Sequence, residues 1–91
     1  MQDRTRQPDA DTRALLQQIA ARLTAERPQH PMRASLREAL ALTFAARRHG
    51  YGTARATRAE ELLLAHAPAV EKGTTRSQYA AELRQAAGGD R

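Results

Sequence analysis

Residues 35–50 read SLREALALTFAARRHG, and the spacing of their apolar side chains decides the fold class. Leu36, Ala39, Leu40, Thr43 and Phe44 recur at intervals of one, three and four, the period of one helical face. Ser35-Leu-Arg-Glu38 has the spacing of a capping box, and Gly50 supplies the stop after a basic last turn of Arg47, Arg48 and His49. The stretch predicts a helix over 35–49, with Gly50-Tyr-Gly52 as the turn that follows.

Three more helices flank it. Leu15, Leu16, Ile19, Ala20 and Leu23 form one stripe of a helix over 11–27, capped by Asp9 or Asp11 and ended by Pro28. Pro28-Gln-His-Pro31 reads as a short, stiff connection. Downstream, Ala59, Leu62, Leu63 and His66 predict the inward face of a helix over 54–67, starting after Thr53 or Thr57, with Thr57-Arg-Ala-Glu60 as a capping box. Leu64 falls on its opposite side, and leucine on both faces puts the helix centrally in the fold or Leu64 at an interface. Gly73 breaks the chain, and Thr75-Arg-Ser-Gln78 opens a fourth helix over 75–87 that packs Tyr79, Ala80, Leu83 and Ala87. No segment alternates as a strand does. The expectation is an all-α bundle of four short helices, with residues 1–10 as a disordered arm and 11–91 as a single helical domain.

The 91 residues include 20 alanines but only ten leucines and three aromatic side chains. So few large apolar groups make a thin core, and pairing into a homodimer would deepen it. There is no cysteine, which excludes disulfides and thiolate metal sites. No run approaches the roughly 20 apolar residues of a membrane span. The first residues, MQDRTRQPDAD, lack the apolar core of a signal peptide. A cytoplasmic protein with no membrane association is expected.

Catalytic chemistry finds little to work with. His30, His49 and His66 lie on different elements without metal-ligand spacing. Glu60 and Glu61 are adjacent and diverge on a helix. Ser35 and Ser77 read as cap residues, without a base nearby. The sequence therefore predicts no enzyme, no metal and no cofactor.

Charge carries more. Residues 27–58 hold seven arginines against one acid, Glu38, a local charge of +6; the other 59 residues hold eight basic and nine acidic side chains. Arg37 and Arg48, eleven residues apart, lie about 20° from each other around a helix. With Ala41 and Ala45 between them, they would form an exposed flank able to approach a phosphate backbone. Arg33, Arg47, Arg55 and Arg58 would extend that patch, and Arg4 and Arg6 of the arm would add a groove contact. A second candidate is the start of the fourth helix, where Thr75, Arg76, Ser77 and Gln78 and the free N–H groups would face phosphates or base edges. DNA is the expected partner, with the protein as a regulator or accessory factor. The alternative is an adaptor or inhibitor docking on an acidic protein through the same patch, with Leu64 in its interface. RNA is less favoured, because few aromatic side chains are available for stacking.

Leu36–Tyr51, LREALALTFAARRHGY, resembles the first helix and Gly-Tyr turn of TetR-type repressors, and Gly73–Tyr79 resembles their recognition helix. The likeness spans under half the chain, and the interval between its two pieces is several residues longer than in that family. It implies a helix-turn-helix-like use of the fourth helix. These residues show no counterpart of the family's large ligand-binding domain.

Overall fold

In a computed structural model describing residues 7–88, the apolar stripes become four helices: α1 Ala10–Ala25, α2 Ala34–His49, α3 Ala54–His66 and α4 Arg76–Ala86. Each bound falls within two residues of the one predicted. The described residues form no strand, only an isolated bridge between Pro31 and Thr75. The protein is all-α, and none of the described helices is long and apolar enough to cross a membrane.

The helices associate as two pairs. α1 lies along α4, α2 along α3, and α1 also touches both members of the second pair. The α1 stripe is buried as read, with Leu15, Leu16, Ile19, Ala20 and Leu23 all in the core, facing Tyr79, Ala80, Leu83 and Ala87 of the α4 side. Alanine forms much of the remaining buried surface, with Ala41, Ala45 and Ala46 of α2 and Ala56 and Ala59 of α3, which pack as a pair. Such small side chains allow the two axes a close approach.

One local expectation is corrected and two open choices are resolved. Ser35 does not cap α2: the helix begins a turn position earlier, at Ala34, with Arg33 as an N-cap that makes no side-chain bond. Thr53 caps α3 by accepting from the Ala56 N–H, so the Thr57–Glu60 box does not form. Asp9 caps α1 by accepting from the Thr12 N–H at 2.8 Å, which leaves Asp11 free for another role. Pro8 is buried, so the ordered chain already includes residues 8–10 of the expected arm. Residues 1–6, with Arg4 and Arg6, lie outside the described residues. The Thr75–Gln78 capping box forms in full.

The face of α2 is also rotated from its predicted setting. Its most buried positions are Ala41, Ala45 and Ala46, whereas Leu36, Leu40 and Phe44 are half-buried and Ala39 is exposed. The smallest side chains sit deepest, with Ala41 and Ala45 joining the core cluster and Leu36, Leu40 and Phe44 packed at its edge.

Candidate nucleic-acid interface

That rotation redistributes the arginines. Arg37 shares a stripe with Ala41 and Ala45, and the stripe faces inward. Its guanidinium reaches across to the end of α3, where Nη2 donates to the carbonyls of Leu64 (2.8 Å) and Ala67 (2.9 Å) and Nε donates to that of Pro68 (3.0 Å). The last carbonyls of a helix have no partner within it, and here a cation from another helix satisfies them and complements their negative end. The Tyr79 hydroxyl donates to the same Pro68 oxygen at 2.5 Å. Burial pushes the Tyr79 phenol above its usual 10, against the opposing effect of the Arg37 charge, so it stays a neutral donor. Arg37 thus holds α2, α3 and α4 together, and the exposed phosphate flank expected of Arg37, Ala41, Ala45 and Arg48 does not exist.

Arg48 is engaged differently. Its Nε donates to Asp11 Oδ1, and His49 Nε2 lies 2.8 Å from Oδ2 of the same carboxylate. Both oxygens of Asp11, in the first turn of α1, are therefore held by the last turn of α2. Desolvation raises the Asp11 carboxyl, but the bonds and charges of His49 and Arg48 outweigh it and hold the group below its ordinary 3.8.

The start of α4 is closed. The N–H groups of Arg76 and Ser77 donate to the carbonyls of His30 and Pro28, both at 2.9 Å, and the Gln78 N–H donates to the Thr75 hydroxyl. Met32 N–H in turn donates to Thr74. Free N–H groups were expected here; the Pro28–Pro31 connection occupies them instead. Thr75, Arg76 and Ser77 are half-buried, and the Arg76 Nε is buried with no hydrogen-bond partner. Of the four, Gln78 alone is exposed, and its side chain is bonded back to the Thr75 N–H. The prolines were the available signal: neither can donate, and the turn at Pro28–Gln29, closed by the His30 N–H on the Arg27 carbonyl at 3.0 Å, leaves the Pro28 and His30 carbonyls free to accept.

Arg33, Arg47, Arg55 and Arg58 remain exposed. Arg47 and the α1 residue Arg22 each place their guanidinium 5.9 Å from the centre of the Phe44 ring, a cation–π range; the sequence reading had not linked Arg22 to this patch. Arg58 faces Glu61 at 3.9 Å with both side chains largely exposed, a weak tie. Arg55 and Arg58 share with Asp9, Asp11, His49 and Leu62 the wall of an open hollow of about 200 Å³ beside the α2–α3 turn. Arg33 stands at the other end of α2, about 21 Å from Arg47 at 1.5 Å per residue.

Leu64, expected at an interface, is half-buried and packs against the core. The large apolar side chains that do stand out are Leu42 and Tyr51, 53% and 73% exposed. Among the described residues, no three His, Asp or Glu side chains converge as metal ligands. No family model, curated protein or solved structure matches the chain.

Proposed function

We propose that this chain is a small cytoplasmic DNA-binding protein, a regulator or accessory factor, that grips phosphates through the α2–α3 turn. The supporting observation is the exposure of Arg47, Arg55 and Arg58 on the last turn of α2 and the first turns of α3, where Arg47 lies over the Phe44 ring and Arg58 has only the loose contact with Glu61. The turn between them carries Gly50 and Gly52 with positive φ, so its backbone is bare and admits close approach. Tyr51 projects from the same turn and offers a ring and a hydroxyl to a sugar or phosphate. Arg37 and the start of α4 take no part in this reading, since their donors are occupied within the protein. Contacts of this kind neutralise the backbone and read no bases.

Fluorescence anisotropy with a random-sequence duplex of about 30 base pairs tests the proposal, titrated from about 50 to about 300 mM salt. Three arginine–phosphate contacts give a log–log slope near −3. Absence of binding at the lowest salt overturns it.

A second reading, docking on an acidic protein, draws on the exposure of Leu42. Long-range charge would steer that encounter, and Leu42→Asp would then weaken the complex more than loss of any one arginine.

A further inference from the structure

We infer that the hollow beside the α2–α3 turn is a seat for a single backbone phosphate, and that the Asp11 carboxylate competes with that phosphate for its donors. The inference rests on the DNA-binding reading above and adds to it a specific site and an internal competitor.

The donor set is already arranged around an oxyanion. Asp11 accepts from a guanidinium on one oxygen and meets an imidazole nitrogen on the other, and both donors come from consecutive residues at one helix end. Guanidinium forks bind carboxylate and phosphate oxygens in closely similar geometry. Two further guanidiniums, of Arg55 and Arg58, line the same hollow, over a floor of Ala59 and Leu62. Arg55 has no carboxylate within 4 Å among the described residues, and Arg58 has only the loose contact with Glu61. A phosphate lodged there would meet Arg55 and Arg58 at once and could take over the bonds of Arg48 and His49.

Charge sets the balance. Arg55 and Arg58 line the hollow with Asp9 and Asp11, Arg48 bonds to Asp11 from outside that lining, and Asp9 is committed to the Thr12 N–H. Removal of the Asp11 carboxylate therefore makes the site more positive by one charge. The Asp11 side chain is one-third exposed, so it returns to water easily when displaced. Its ionised form is favoured by its partners, which makes displacement by a stronger anion, rather than protonation, the means of release at neutral pH.

The test compares wild type with Asp11→Asn in the duplex salt titration, with circular dichroism melts of both. Asp11→Asn is expected to bind about five- to tenfold tighter at about 0.1 M salt, with a log–log slope steeper by about one. Adding Arg48→Gln to Asp11→Asn should erase that gain. Arg48→Gln alone should weaken duplex binding, because the phosphate that displaces Asp11 takes over that guanidinium. This last comparison decides the matter should Asp11→Asn fail to fold, and wild-type affinity and slope in a folded Arg48→Gln protein would overturn the inference. Equal affinity and slope in wild type and Asp11→Asn would overturn the phosphate seat while leaving DNA binding standing. Weaker binding by Asp11→Asn would overturn it too, since Asp11 would then be serving the complex by orienting Arg48. Failure of both proteins to bind at about 50 mM salt would overturn the seat and the DNA-binding reading together.

Discussion

The starts of α3 and α4 are alike in sequence and opposite in structure. Each opens with threonine at the cap and arginine in the first turn, yet α4 is sealed by carbonyls of the 28–31 connection, whereas α3 begins at an exposed turn. Among the described residues, no carbonyl outside the helix receives the N–H of Ala54 or Arg55. The difference comes from what precedes each helix. A glycine turn carries α2 directly into α3, whereas α4 follows a long connection that passes the proline-bounded segment and bonds to it. Arginine content therefore does not locate a binding surface; the connection that meets each arginine decides whether it faces inward or outward.

The contrast is broken most severely at Arg37, the arginine that faces inward. Arg37→Met removes hydrogen bonds from three carbonyls and a charge from a helix end, and the expected loss is about 2–4 kcal/mol of stability in urea unfolding. A wild-type midpoint would refute the inward role. Arg37→Glu, which would test an exposed phosphate contact cleanly, instead sets a carboxylate against those carbonyl oxygens and should unfold the protein.

On the outward side, Arg55→Gln with Arg58→Gln should make the salt slope of duplex binding shallower by about two, with little change in melting temperature. A large drop in melting temperature would show that these two side chains also hold the fold.

Thr75→Ala sharpens the comparison from the closed end. Loss of the capping box should cost about 1 kcal/mol of stability, and duplex affinity should not move. Reduced affinity in a folded Thr75→Ala protein would return the start of α4 to the interface.

The smallest expected effect is in acid. The folded protein holds Asp9 below 3.8 through the bond from the Thr12 N–H, and Asp11 below it through His49 and Arg48 against desolvation. The unfolded chain binds protons more readily than the folded one in this range. Stability from these groups is therefore complete above the unfolded value, near 3.8, and is lost as the pH falls through the lower folded values. Urea midpoints measured from about pH 5 downward should fall less steeply in Asp11→Asn than in wild type; parallel curves would show that the Asp11 ties contribute nothing.

Periodicity made the helices legible. The stripes of α1 and α4 were correct residue for residue, because each buries large side chains that stand out from a polar background. α2 was misread by a rotation, since the reading weighted Leu36, Leu40 and Phe44 over the alanines, and close helix packing reverses that weight. The same error moved Arg37 from the inside to the outside. For the candidate site, the arginine excess and the Gly50–Gly52 turn were visible in the sequence. The Asp11 contact with Arg48 and His49 was not: it spans 37 and 38 positions, and no local pattern announces it. Leu42 was hidden by the same rotation of the α2 face.

The pairing of α1 with α4 also bears on how the chain acquires its structure during synthesis. α1 rests chiefly on α4, the most distant of its partners along the chain, so Leu15, Leu16 and Ile19 are not fully covered until Tyr79, Ala80 and Leu83 have emerged. The α2–α3 hairpin can form early through short-range contacts. The α1–α4 pair must wait for α4 to be made, which leaves the leucine stripe of α1 as the segment on which a chaperone would act.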